Sequence, residues 1–311
     1  PEGSCGCRTA FSCKYSGLSS GKLSEGSIML RKKSKRHFYI VTVIMVLLVI
    51  WTAWSNTTVG ITHYTVASDR LPASFDHYSI VVVSDLHNAE FGENNSQLIK
   101  LIEKEKPDII VITGDLVDSN KTNIDIAQKL VGTLTGIAPC YYVTGNHEAW
   151  LGEQYQELES ILLDEGVAIL HDRAVQLIKN TESIQLAGLD DPDFTDRAPL
   201  QQSMIKTKIN NMNLTDNYCV LLSHRPEAFE DYVSENIDLV LSGHAHGGQF
   251  RLPIIGGIVA PNQGLFPKYD AGIYSENYTT MVVSRGIGNS IIPIRFNNRP
   301  EIISVELICE S

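Results

Sequence analysis

Short, continuous runs of apolar, mostly β-branched residues punctuate this chain, and five of them end on side chains capable of metal binding or proton transfer. The runs at 80–84, 109–113, 140–144, 219–223 and 239–242 lead into Asp85, Gly114-Asp115, Gly145-Asn146-His147, His224 and Gly243-His244-Ala245-His246. Runs of this kind predict strands buried on both faces, as in a sheet covered by helices. Segments 97–106, 124–134 and 154–165 read as helices between them, giving an α/β alternation with no repeat or low-complexity tract. In open α/β sheets the ligand site lies at the carboxyl ends of the strands, so the pattern predicts that these polar residues converge. Glycine precedes the polar residue at Gly114, Gly145 and Gly243, where it would let the chain turn sharply and approach a bound ion.

A different pattern occupies the N-terminal part. Of the 17 residues from Phe38 to Trp54, 15 are apolar, and no Asp, Glu, Lys or Arg occurs from His37 to Ser68. At 1.5 Å per residue this segment is about 25 Å long, enough to span a bilayer core. Aromatic residues at both ends suit the two interfaces. Five basic residues between Arg31 and Arg36 precede the segment, so the N-terminus is expected in the cytoplasm and the rest of the chain outside. Ala53-Trp54-Ser55 also loosely fits a signal-peptide cleavage site. The expected organisation is therefore an unstructured leader at 1–37, a single-pass anchor at 38–54, a linker with a first strand at 55–78 and a catalytic domain at 79–311. Met29 is the expected start residue.

Composition changes this picture little. The 311 residues are 43% apolar, with 36 acidic side chains against 25 basic ones and a net charge of −11. That is ordinary for a globular protein and excludes a disordered or collagenous chain. The clustered basic residues form one run beside the apolar segment, so no nucleic-acid partner is expected. Cys5, Cys7, Cys13, Cys140, Cys219 and Cys309 form neither a disulfide framework nor a convincing zinc site. The last third carries Arg251, Arg285, Arg295 and Arg299, each a candidate for phosphate recognition or for a surface ion pair. The charge-free stretch 252–266 reads as a loop covering a sheet edge, with a lid or a membrane contact as alternatives. His63, His77 and His171 lie outside the polar blocks and read as surface or satisfied residues.

An isolated Asp-x-His or Gly-His-x-His is usually a satisfied loop or helix cap. Five blocks in order, each closing a strand, are different. Asp85-x-His87, Gly114-Asp115-x-x-Asp118, Gly145-Asn146-His147-Glu148, a separate His224 and Gly243-His244-x-His246 together resemble the signature of the calcineurin-like metallophosphoesterases. The stretch from Gly243 to Pro253 is similar to the membrane-anchored bacterial phosphodiesterases of that family. The resemblance implies a four-layer αββα sandwich, preceded here by one transmembrane helix. It further implies two divalent metal ions, Mn, Zn or Fe. Carried over by motif, one ion goes to Asp85, His87 and His246, the other to Asn146, His224 and His244, and Asp115 bridges both. Imidazole, carboxylate and amide donors suit those metals better than Mg or Ca.

The implied reaction is phosphoester hydrolysis, phosphodiesters favoured, by in-line attack of a metal-bridging hydroxide. His147 would protonate or stabilise the leaving oxygen, with Asp118 fixing its tautomer. Glu148 reads as a loop cap. Ser119-Asn120 follows Asp118 where the phosphoprotein phosphatases carry Arg-Gly, which disfavours protein substrates. A lipid-linked substrate such as UDP-2,3-diacylglucosamine is one alternative, although the expected orientation faces away from its cytosolic location. A non-catalytic metal-binding scaffold is the other.

Overall fold

A computed structural model describes the backbone of residues 22–195 and 202–310, and the side chains of 35–195 and 204–310. The elements run α1 (Lys22–Thr57), β1 (Gly60–Ser68), β2 (Tyr78–Val83), α2 (Ser96–Glu105), β3 (Ile109–Thr113), α3 (Ile124–Leu134) and β4 (Cys140–Val143). There follow α4 (Asn146–Trp150), α5 (Gln154–Asp164), β5 (Ala168–Ile169), β6 (Arg173–Lys179), β7 (Glu182–Gly188), α6 (Gln202–Asn211), β8 (Cys219–Leu222), α7 (Phe229–Ser234) and β9 (Leu239–Ser242). Two small hairpins, β10 (Arg251–Leu252) with β11 (Gly256–Gly257) and β12 (Val259–Ala260) with β13 (Gly264–Leu265), precede β14 (Gly272–Glu276), β15 (Thr279–Val283) and β16 (Glu301–Cys309).

Two compact units divide the chain at residues 51 and 52. The first is the helical N-terminal part, and the expected leader up to residue 21, with Cys5, Cys7 and Cys13, lies outside the described residues. Helix α1 begins before the predicted anchor, and its Lys35–Thr57 portion, with a mean hydropathy of 2.2, is long and apolar enough to cross a membrane. From Phe38 to Trp51 its large apolar side chains are exposed on all sides of the helix, a surface suited to lipid rather than water.

The second unit contains two six-stranded sheets, ordered β1-β16-β2-β3-β4-β5 and β14-β15-β9-β8-β7-β6. Their central strands are parallel: β2, β3 and β4 in one sheet, and β15, β9, β8 and β7 in the other. The β-branched runs explain the layers. Side chains alternate across a strand, so Ile80 and Val82 of β2 face inward while Val81 and Val83 face the other way. The inward set meets Leu186, Leu222 and Leu241 of the second sheet in one buried cluster. The outward set packs against Leu98 and Ile102 of α2, Leu130 and Val131 of α3, and Leu158 and Leu162 of α5. On the far side, Leu221, Val240 and Val283 are covered by Ile205 of α6 and by Phe229 and Tyr232 of α7. The result is the four-layer αββα sandwich.

Strand β1 was expected within 55–78, but its partner was not legible. It pairs in parallel with β16 along its whole length, from Gly60 opposite Glu301 to Ser68 opposite Cys309, so the two ends of the unit close one sheet together. The candidate loops after β2, β3, β4, β8 and β9 leave the carboxyl ends of the central strands.

Candidate metal centre

Three of the central strands, β2, β3 and β9, deliver their polar residues through turns that the backbone adopts reluctantly. Asp85, His87, Asp115, His244 and His246 all have positive φ, between 44° and 65°. Non-glycine residues seldom occupy that left-handed region, and its use here indicates that the surrounding contacts impose it. The three glycines serve two purposes. Gly114 has φ of 92°. Gly145 and Gly243 are needed for space, since a Cβ on Gly243 would lie 2.5 Å from the Asp85 carboxylate and one on Gly145 would lie 2.7 Å from the Asp115 nitrogen.

Glu148 is the clamp between two of these turns. Its buried carboxylate accepts N–H bonds from Asp115 and Leu116 at 2.8 Å and from Gly145 at 2.7 Å. The cap expected in the sequence thus ties the β3 and β4 loops together. Asp85 performs a similar service, accepting the backbone N–H of His244 at 3.0 Å.

The candidate ligands come together in two overlapping groups. Ligand atoms of Asp85, His87, Asp115 and His246 lie within 4.8 Å of one another, as do those of Asp115, His224 and His244. Asp115 belongs to both groups. The Nε2 atoms of His87 and His246 are 3.1 Å apart, and Nδ1 of His244 is 3.2 Å from Nε2 of His224. Nitrogen atoms facing one another in this way gain little unless a proton or a cation is shared between them. Asn146 lines the same cavity, and its buried Oδ1 has no hydrogen-bond partner among the described residues. An orphaned amide oxygen at the edge of an imidazole and carboxylate cluster fits a metal donor.

Electrostatics points the same way. Burial drives the imidazoles of His87 and His246 down to about 3 and lowers that of His244, so these rings are neutral and carry free lone pairs. Burial also opposes protonation of His224, but the Asp115 carboxylate outweighs it and lifts the ring to about 10. Without a metal, that proton provides the positive charge that Asp115 requires. A divalent cation fits the same need with higher charge.

His147 lies beside this cluster, with its ring centroid 4.5 Å from that of His87. The tautomer expected from Asp118 has another origin. The Ser119 N–H donates to Nδ1 of His147 at 3.0 Å, which leaves the proton of the neutral ring on Nε2. Oδ1 of Asp118 instead accepts from the backbone of Asn120 and Lys121, although a carboxylate oxygen of Asp118 stays within 4.8 Å of ring nitrogens of His87 and His147. The family resemblance pointed to Asp118, whereas here the loop folds its Oδ1 back on its own turn. Nε2 of His147 is within hydrogen-bond distance of Ser290 Oγ, at 3.0 Å, and both residues line a cavity of about 850 Å³.

The four arginines considered for phosphate recognition are engaged by groups of the protein itself. Arg251 pairs with Asp270 at 2.9 Å and Arg285 pairs with Glu301. Arg295 is fully buried, donates to the carbonyl of Arg285 at 2.5 Å and reaches Nδ1 of His246 at 3.2 Å, while Arg299 donates to Val59 and stacks on Trp54 at 4.9 Å. The arginine that lines the cavity is Arg225, which the sequence reading passed over. It forms a bidentate pair with Asp191 at 2.5 and 2.7 Å and reaches His244 Nε2 at 3.1 Å. Its position directly after His224 was the available signal. Among the remaining histidines, His63 meets Glu105, His77 meets Glu306, and His171 meets Asp190 and Glu159.

A four-layer sandwich with an Asp/His cluster at its strand ends defines a metal-dependent phosphoester hydrolase, and the comparisons with known proteins agree. The calcineurin-like phosphoesterase profile matches residues 78–248, more than half of the chain, and the chain belongs to that family. It is 31% identical over 255 residues to the metallophosphoesterase YkuE of Bacillus subtilis, covering 78% of this chain and 82% of that one. The phosphodiesterase YaeI of Escherichia coli is 29% identical over 235 residues, covering 74% and 82%. The "Transmembrane protein with metallophosphoesterase domain" of Danio rerio is 31% identical over 248 residues, a match that spans 77% of this chain but 55% of the fish protein.

The geometry of the β3 turn yields a specific expectation. A methyl group on Gly114 would meet Gly145 N at 2.7 Å and His224 Nδ1 at 2.8 Å, at a backbone angle hostile to alanine. Gly114→Ala should weaken metal binding at least about tenfold, as a displaced ligand does. Titration of the metal-free protein with Mn or Zn in a calorimeter checks this, and unchanged affinity would show that the turn tolerates the methyl group.

Proposed function

We propose that this protein hydrolyses phosphodiesters at a two-ion site. Asp85, His87 and His246 would hold one ion, and Asn146, His224 and His244 the other. Asp115 would serve both, and its membership of both ligand groups is the observation that carries the reading. Mn, Zn or Fe suits this thiolate-free, imidazole-rich donor set. Bound ions of this kind acidify water and offset charge on the oxygens of an in-line displacement.

The chain's own residues supply orientation and proton delivery. His147 presents a protonated Nε2 to the cavity because Ser119 occupies its other nitrogen. A neutral imidazole with that tautomer can donate to the oxygen of a departing alcohol. Trp150 packs on the His147 ring at 4.9 Å and restricts its rotation. Asp191 and Glu227 flank Arg225, with Asp191 accepting from two nitrogens of the guanidinium. The guanidinium is thereby held against His244 and is poorly placed to bind substrate. The similarity to YaeI supports a phosphodiester as substrate.

The basic run between Arg31 and Arg36, ahead of the apolar portion of α1, supports an orientation with the catalytic unit outside the cytoplasm. In that orientation a cysteine introduced as Ile178→Cys, at an exposed position of β6, should react with a membrane-impermeant maleimide in intact cells. A requirement for lysis would reverse the topology.

Activity offers the direct test. The detergent-solubilised full chain should hydrolyse bis-p-nitrophenyl phosphate, lose that turnover to a chelator, and regain it with Mn or Zn. His147→Gln should lower kcat by about 10²- to 10⁴-fold, the usual contribution of a general acid, while metal content stays unchanged. Full turnover in that variant would remove His147 from the reaction.

A further inference from the structure

Half of the large exposed apolar side chains in the 52–311 unit sit on two loops beside the cavity. Leu252, Ile254, Ile255, Leu265 and Phe266 belong to the hairpins of residues 251–266, and Ile291 and Ile294 to the loop after β15. Ile254 is entirely exposed, and neither 252–266 nor 290–294 contains a charged residue. The stretch read from sequence as a buried cover for a sheet edge therefore presents five of its apolar side chains outward, while Ile258 and Val259 are half-buried and Ala260 is buried. A soluble protein seldom groups such residues without a partner.

The loops are built as one surface. Gln249 donates to the carbonyls of Ile292 and Ile294, each at 2.8 Å, and Arg251 N–H bonds to the carbonyl of Phe296 at 3.0 Å. Phe266 N–H bonds to Ile258 at 2.8 Å, and Ile258 N–H to Phe250 at 2.8 Å. The same assembly forms part of the cavity wall, to which the first loop contributes Pro261 and Asn262 and the second Ser290 and Ile291.

The identity of the partner follows from where the apolar helix ends. Asn56, in the last turn of α1, donates to the carbonyl of Arg295 at 2.7 Å and accepts the Arg295 N–H at 2.8 Å. Arg295 directly follows Ile294. Trp54 and Asn56 both belong to the 52–311 unit, so this contact is internal to it. A helix that leaves a bilayer within a residue or two of Asn56 brings the Ile291 to Ile294 loop to the headgroup layer, where uncharged apolar tips are stable and charged ones are not.

We propose that the 251–266 hairpins and the 290–294 loop rest in the interface of the bilayer that α1 enters, so that the metal cavity opens onto that surface and takes phosphoester headgroups of its lipids. The substrate half rests on the function proposed above; the docking half does not. The apolar tips would act as a fixed spacer, setting the height of the cavity wall above the lipid plane. Tethering by α1 alone leaves the catalytic unit free to tilt, whereas a second contact removes that freedom and presents the headgroup at high local concentration.

The test uses the full chain reconstituted into vesicles of phosphatidylcholine and phosphatidylglycerol, with and without acyl-chain bromination. Ile255→Trp adds an indole at the proposed contact, and Ile178→Trp adds one at an exposed position on β6 as a control. Brominated lipid should quench at least about half of the fluorescence added by Ile255→Trp and almost none of that added by Ile178→Trp. Equal quenching of both by aqueous iodide, with no effect of brominated lipid, would overturn the docking. Shielding of the Ile255→Trp indole from both quenchers would overturn it too, in favour of a protein partner such as a second copy of the chain. For the substrate, the double variant Ile254→Asp, Ile255→Asp should keep hydrolysis of bis-p-nitrophenyl phosphate in detergent within about twofold while headgroup release from the vesicles falls about tenfold. A chain that hydrolyses the soluble ester and docks, yet releases no headgroup, would refute the lipid substrate alone. Loss of soluble-ester turnover in the unaltered chain would instead refute the catalytic reading and leave the docking to the fluorescence result.

Discussion

The carboxylate of Asp115 is buried against several imidazoles, and this concentration of unpaired donor atoms is the condition around which the 52–311 unit is organised. Burying a carboxylate is costly without compensating positive charge, and neutral imidazoles supply none. The site therefore requires a cation or a trapped proton. Its elements are arranged so that the ligands cannot separate to relieve that need.

Rigidity comes from the sandwich. Parallel strands packed on both faces leave little freedom at their ends, and the loops are cross-tied where they meet. Glu148 holds the β3 and β4 turns together, Asp85 holds the first residue after the Gly243 turn, and Arg225 holds His244 through its pair with Asp191. Positive φ at five candidate ligands is sustained by these ties. A site prearranged in this way can admit an ion without reorganising, which suits turnover more than transient metal sensing.

Much of this was legible in the sequence because the informative residues are local. A run such as 109–113 followed by Gly-Asp carries both the strand and the ligand in one stretch, and the buried faces follow from β-branching alone. Features that depend on distant pairing were not legible. The β1 and β16 register joins residues some 240 positions apart, and no local pattern marks it. The partner of His147 is a backbone N–H rather than the nearby Asp118, because turn geometry, not residue type, decides which donor faces the ring. Arg225 was overlooked beside the more conspicuous His224. The arginines that attracted attention are held by carbonyls, acids and rings of the protein itself, Arg295 against His246 among them. The 252–266 stretch was misjudged because an uncharged Ile, Gly and Pro composition is the same for a buried loop and for one facing lipid.

The proposed reaction depends on Asp115 joining two ions. Electron paramagnetic resonance of the full chain loaded with manganese tests it most directly. About two Mn per chain are expected, with a spin-coupled signal characteristic of a carboxylate-bridged pair, which Asp115→Asn weakens or abolishes. A single Mn per chain with an isolated six-line spectrum, unchanged in Asp115→Asn, would contradict it.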